Sequence, residues 1–170
     1  MKKLLVLLFS IFISFNSYGV EDFKLTDWHE NGQIKSEIHF KDYKLDGKST
    51  IWHENGKIKS EIDYKDDKKV GKRTTWYANG QKESESNYKD DEYHGKWTWW
   101  YENGKIKSEI NFKHGVQNGK FTSWYADDQK ELEGNFKDGK KDGKWTWWHE
   151  NGKIILEKIF KNGKCISGGC

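Results

Sequence analysis

The residues able to do chemistry are few and scattered. Six histidines occur, His29, His39, His53, His94, His114 and His149. A zinc site or an acid–base pair would need several of them to converge. His29, His53 and His149 occupy a slot that is filled by Tyr77, Tyr101 and Tyr125 elsewhere, which makes them aromatic substitutes on a strand. On neighbouring hairpins His29 and His53 would stand about 10 Å apart, too far to share a metal. The carboxylate pairs Asp66-Asp67, Asp90-Asp91 and Asp127-Asp128 fall among turn residues, and turn chemistry accounts for them better than catalysis does. No nucleophile elbow, zinc-protease helix or phosphate loop is written anywhere. This is a chain without a catalytic set, and it calls for no cofactor and no metal.

The two cysteines, Cys165 and Cys170, close the sequence as "CISGGC". A lone C-x4-C is weak evidence for a metal. In an oxidising compartment the pair can form a local disulfide around Gly168 and Gly169, or stay as free or intermolecular thiols.

Aromatics are the abundant functional material. They make up 16% of 170 residues, although a third of the chain is charged and Leu, Ile and Val are scarce after residue 20. Proline is absent, which suits uninterrupted strand pairing. Net charge is +3, and about +1 without Lys2 and Lys3. The lysines alternate with acidic residues, and such a mixed surface excludes nucleic acid as a partner. The N-terminus "MKKLLVLLFSIFISFNSYGVED" has the basic start, the apolar run and the small residues Ser17 and Gly19 of a secretory signal peptide. The apolar run, Leu4 to Phe15, is too short to span a bilayer comfortably. We therefore expect residues 1–19 to be a leader and the rest to be exported, to the periplasm, the cell surface or the medium, without an integral membrane segment.

Those aromatics are periodic. Trp28, Trp52, Trp76, Trp100, Trp124 and Trp148 recur every 24 residues, and so do Gly47, Gly71, Gly95, Gly119 and Gly143. A second aromatic recurs at Phe40, Tyr64, Tyr88, Phe112, Phe136 and Phe160. Such a period means a repeat architecture. In "GKWTWWYENGKIKSEINF", residues 95–112, an aromatic strand meets the turn signal "ENG" and then a strand alternating Ile106, Ser108, Ile110, Phe112 against Lys107, Glu109, Asn111. The fold expected is all-β: an elongated single-layer antiparallel meander of about six 24-residue β-hairpins, about 12 strands, over residues 20–164, followed by a Cys/Gly tail at 165–170.

Register decides the faces. A two-residue Asn-Gly loop would pair Tyr101 with Ile106, whereas a three-residue Glu-Asn-Gly loop with a glycine bulge pairs Trp100 with Ile106. We adopt the second. It predicts that the repeating Trp, Ile, Thr and Phe/Tyr share one face. The other face then carries a variable set, richest in units four and six: Trp97, Trp99 and Tyr101; Trp145, Trp147 and His149.

The pattern G-x-W-x-x-W-Y-x-N-G, ending in Y/F-x-x-G, resembles the MORN repeat in its bacterial variant. "GKRTTWYANGQKESESNYKDD" and "GKWTWWYENGKIKSEINFKHG" are close matches, and the likeness covers about 140 residues. It implies a long, twisted, single-layer sheet that serves as a binding or scaffolding module. Some relatives are linked to membrane lipids, and many bacterial ones carry the label of toxin–antitoxin antitoxins. Here a leader would restrict that role to an exported toxin. Units three and five depart from the pattern at Lys82, at Lys130, at Asp127-Asp128 and at Gly134.

An aromatic patch with a polar rim marks a binding site. The patch predicted from Trp97, Trp99, Tyr101, Trp145, Trp147 and His149 points to a protein partner, with self-association through the sheet faces as a variant of that reading. The alternative is a cell-wall or carbohydrate module that stacks sugars on aromatic rings.

Overall fold

The computed structural model describes residues 12–15 and 21–170. Apart from the backbone of Phe12–Phe15, the expected leader lies outside the described residues. The molecule is one antiparallel sheet of 15 strands with no helix among the described residues. Strands follow one another in chain order, with one short strand set off to the side of the path.

Each unit is a hairpin. Unit one joins β2 (Glu21–Trp28) to β3 (Ile34–Lys41), and unit two joins β4 (Lys44–Trp52) to β5 (Ile58–Lys65). Unit three joins β6 (Lys68–Trp76) to β7 (Lys82–Lys89). Unit four has β9 (Gly95–Trp100) and β10 (Ile106–Lys113), with the short β8 (Glu92–Tyr93) before it. Units five and six are β11 (Val116–Trp124) with β12 (Lys130–Lys137), and β13 (Lys140–Trp148) with β14 (Ile154–Lys161). β1 (Phe12–Phe15) lies beside β2, and β15 (Lys164–Ser167) beside β14. The cysteine tail, expected as a separate segment, thus supplies the last strand. Cys165 and Cys170 are joined by a disulfide with Cα atoms 5.8 Å apart.

The hairpin loop is the three-residue one. Tyr101 N donates to Lys105 O at 2.8 Å and Gly104 N to Tyr101 O at 2.9 Å, enclosing Glu102-Asn103-Gly104. Gly104 sits at φ +83°, which a side chain would strain. Between units the strands run further than their sequence suggests. They meet at two-residue turns, such as Asp66-Asp67 and Asp90-Asp91, in which both residues have positive φ. That is the type I′ geometry whose twist matches the strands, and it accounts for these two carboxylate pairs, whereas Asp127-Asp128 lies in the hairpin loop of unit five, with Asp128 at the glycine position.

The faces differ from the expected ones. Trp100 does pair with Ile106, but the ladder then slips: Trp99 pairs with Ser108 and Trp97 with Ile110. The extra residue, Lys107, reverses the alternation of the strand that bears it. Directly paired residues share a face. So Trp97 and Trp99 lie with Ser108, Ile110 and Phe112. The repeating Trp100 lies on the opposite side, with Lys96, Thr98 and Glu109. The same slip occurs in all six hairpins, at Trp28, Trp52, Trp76, Trp100, Trp124 and Trp148. The expected grouping of repeating Trp with Ile110 and Phe112 is thereby corrected.

Candidate binding face and the ladders that support it

The charged side of the sheet repeats one motif in all six units. A lysine pairs with a glutamate across each hairpin: Lys24–Glu37 (2.7 Å), Lys48–Glu61 (3.8 Å), Lys72–Glu85 (3.0 Å), Lys96–Glu109, Lys120–Glu133 (2.9 Å) and Lys144–Glu157. The threonine between them is buried in units two to six. Lys82 and Lys130, which replace isoleucine, reinforce this row. Each places its ammonium over the tryptophan of the following unit, 5.6 Å from Trp100 and 5.7 Å from Trp148. Each also bonds a glutamate already paired, Glu85 at 2.9 Å and Glu133 at 2.7 Å. The Lys82 hydrogen bond holds the Glu85 carboxyl below its ordinary value, helped by Lys72 and opposed by partial burial. At Glu133 partial burial pushes upward, yet Lys130 and Lys120 together outweigh it and the net direction is down. Glu109 and Glu157 belong to this side, away from Trp97, Trp99, Trp145 and Trp147.

Two further ladders tie unit to unit at the hairpin loops. His29 Nε2 meets Trp52 O at 3.0 Å and His53 Nε2 meets Trp76 O at 2.8 Å. The hydroxyls of Tyr77, Tyr101 and Tyr125 donate to the carbonyls of Trp100, Trp124 and Trp148 at 2.7–2.8 Å. The slot therefore demands a ring whose polar tip reaches the tryptophan carbonyl of the following unit, and either His or Tyr serves. Alongside it the loop asparagines donate to the next loop: Asn31 to Glu54 O, Asn55 to Ala78 O, Asn79 to Glu102 O and Asn103 to Ala126 O. Asp127 has no amide to give, so unit five lacks this second link. Tyr101 thus belongs to the inter-unit ladder and not to the aromatic patch. His149 lies exposed at the last loop, also away from the patch.

The opposite side is apolar and differs from unit to unit. In unit four Trp97 is half-buried, with Tyr93 at 4.4 Å and Trp99 at 4.2 Å between ring centroids; Phe112 lies 5.5 Å off. Tyr93 in turn leans on Tyr88 at 4.7 Å. Burial raises the Tyr88 phenol far above its ordinary value, with a further push from Tyr93. In unit six Trp145 is 1% exposed and Trp147 is half-buried. Trp145 is embedded among Phe121 (5.9 Å), Phe136 (5.0 Å) and Trp147 (6.2 Å). Its indole N–H donates to Asn135 O at 3.2 Å. Gly134, which looked like a weak point in a strand, is the seat of this ring: a Cβ there would overlap the Trp145 indole. Lys141 caps the cluster, its ammonium 4.4 Å from the Trp145 ring centroid and 5.3 Å from that of Trp147. Ile110 pairs with Phe121, so the unit-four and unit-six groups join into one strip.

The predicted site therefore divides. Trp97, Trp99, Trp145 and Trp147 share a face, with Trp145 as its floor. Sequence reasoning placed Phe121 on the variable face but left it out of the patch, and it missed Tyr93 and Lys141. Tyr93 and Lys141 occupy a slot (Leu45, Lys69, Tyr93, Gln117, Lys141) that varies freely and so hides from a search for repeats. Among the described residues no group of three or more His, Cys, Asp or Glu is gathered as a metal set.

The six hairpins coincide with six consecutive matches to the model of the MORN repeat variant, at residues 24–42, 45–66, 69–90, 93–114, 117–138 and 141–162. The chain belongs to the MORN repeat variant family. MORN repeats are commonly protein- or membrane-binding modules and are not typically catalytic. No curated protein matches the chain. The crystal structure of a GtfA/B complex bound to UDP and GlcNAc is similar over 68% of this MORN chain at 13% identity and a TM-score of 0.29, too low to bear on fold or function. This chain spans 22% of that one.

Proposed function

We propose that this MORN protein is an exported, non-catalytic protein-binding module whose partner docks on the aromatic strip of units four to six. The observation that carries the reading is the sidedness of the tryptophans that fall outside the 24-residue repeat. Trp97, Trp99, Trp145 and Trp147 share one face with Phe112, Phe121, Phe136 and Phe160. The other face carries the repeating tryptophans among ion pairs that are already matched. A half-buried, aromatic-rich surface beside lysine is what protein hot spots use. The leader sequence and the Cys165–Cys170 disulfide both favour an oxidising, exported setting.

Sugar stacking fits the geometry less well, because a sugar needs an open ring face. Both faces of Trp97 are taken by Tyr93 and Trp99, and Lys141 sits over Trp145 and Trp147. A partner protein can instead bury the ring edges of Trp99 and Trp147. An exported toxin is one candidate partner.

The test uses residues 20–170 as bait against the envelope and secreted fractions of the native host, with Trp99→Ala/Trp147→Ala as control. One protein retained by wild type and lost by the variant is the expected result. Equal capture by both baits removes the strip as the site. Retention on insoluble wall material, released by free sugar or by choline, transfers the function to glycan binding.

A further inference from the structure

Units two and three leave a polar hollow on the aromatic face, and we propose that it holds one carboxylate of the protein that docks on the adjacent strip. The hollow measures about 370 Å³, at the small end of the range for ligand sites. Small side chains create it. Arg73 pairs with Ser86 where unit four pairs Trp97 with Ile110, and Thr75 stands where unit four has Trp99. In unit two Ser49 pairs with Ile62 and Ile51 with Ser60. Ser49, Ser60 and Ile62 are buried and form the floor.

Two cations line this hollow, Lys69 and Arg73, and no carboxylate does. Arg73 is the one arginine among 30 basic residues. All six cross-hairpin ion pairs use lysine. Arg73 is half-buried and, among the described residues, makes no ion pair and no hydrogen bond. A guanidinium presents paired N–H groups in one plane, which grip both oxygens of a carboxylate as a lysine cannot. The Lys69 ammonium stands 5.5 Å from the centroid of the Tyr88 ring. The Lys69 backbone N–H donates to Asp91 Oδ1 at 2.8 Å, but its ammonium pairs with no carboxylate among the described residues. Burial raises the Tyr88 phenol, and the Arg73 charge opposes that rise, so both cations converge on this ring.

The lining also says what the anion is attached to. Ile51 and Ile62 set carbon surface beside the two charges, which suits an oxyanion that carries its own carbon chain, as an acidic side chain does and inorganic phosphate does not. Tyr93 walls the hollow on one side and lies 4.4 Å from Trp97 on the other. The hollow and the aromatic strip therefore share a wall, and one protein lying along the face meets both. This assignment of the source rests on the strip being the docking face. The strip would supply apolar contact, and the hollow would fix register through one desolvated charge pair.

Nuclear magnetic resonance tests the site directly, because a lone arginine gives a single side-chain Nε–H signal. The probes are the capped peptide Ala-Glu-Ala, its Ala-Gln-Ala counterpart and inorganic phosphate. The glutamate peptide should shift the Arg73 signal saturably, and the glutamine peptide should not. Followed at the Ile62 amide, Arg73→Lys should weaken the glutamate peptide by about tenfold or more. No saturation, equal binding of the glutamine peptide, or undiminished binding by Arg73→Lys overturns the site. Tighter binding of phosphate overturns the assignment to a carboxylate. The source is tested in the bait assay, where Arg73→Lys should lose most of the protein that the wild type captures. Full capture by Arg73→Lys, with loss by Trp99→Ala/Trp147→Ala, overturns the partner carboxylate and leaves the strip standing. Full capture by both variants overturns the two readings together.

Discussion

The two faces of the sheet obey different rules. On the charged face every unit writes the same groups at the same places: a lysine, a threonine and a tryptophan opposite a glutamate. On the aromatic face a Phe or Tyr recurs in every unit, but the strand residues around it change from unit to unit. Unit three offers Arg73, Thr75, Ser84 and Ser86 where unit four offers Trp97, Trp99, Ser108 and Ile110. A feature repeated in every unit serves what every unit must do, which is to pair with its neighbour in a sheet that has no second layer among the described residues. A feature found only in units four to six serves something the sheet does once. The repeating tryptophan is therefore architecture, and the irregular aromatics are the place to look for a partner.

The largest effect on that contrast comes from the floor of the aromatic face. Trp145→Ala removes a buried indole and its hydrogen bond, and should cost about 3–5 kcal/mol in chemical denaturation. Gly134→Val intrudes on the same ring and should cost about 1–3 kcal/mol. If both are neutral, the cluster is not packed as described. The inter-unit ladder is weaker. Tyr101→Phe leaves Trp124 O without its donor and should cost about 1 kcal/mol, whereas Tyr101→His should restore most of it because His29 and His53 fill that role. Smaller still, Asp127→Asn gives unit five the missing loop amide and should gain about 0.5–1 kcal/mol.

The charged face makes a pH prediction. Glu85 and Glu133 are held below their ordinary value of 4.5, so their contribution is fully present above that value. It is lost as pH falls through the lower folded-state values. Thermal midpoints should be flat above about pH 5 and drop below about pH 4. Glu85→Gln/Glu133→Gln should start lower and show a shallower drop. These pairs are partly exposed, so high salt should blunt the effect.

Much of the fold was legible because it is periodic. The 24-residue spacing, the hairpins and the Glu-Asn-Gly loop followed from turn chemistry and alternation alone. Pairing Trp100 with Ile106 was legible too. The faces were not, because the slip at Lys107 is a backbone event that the lysine itself does not announce. Its neighbours Ile106 and Ser108 alternate as in an unbroken strand, and only the partner strand reveals the step. The aromatic grouping was legible in part. Trp97, Trp99, Trp145 and Trp147 were found by composition. Tyr101 and His149 were drawn in because they are aromatic neighbours in sequence, although the loop aims them at the next unit. Gly134 looked like a defect until the ring of Trp145 was seen above it.

Trp99 and Trp100 are adjacent in sequence and opposite in face, so they test the account most directly. Trp99→Ala and Trp100→Ala should be compared for thermal unfolding and for capture of the partner by the bait. The account predicts that Trp99→Ala keeps its melting temperature within a few degrees and loses the partner. Trp100→Ala should lower the melting temperature and, below it, keep the partner. The reverse pattern, or two variants that behave alike, would contradict the division of the sheet into a structural face and a binding face.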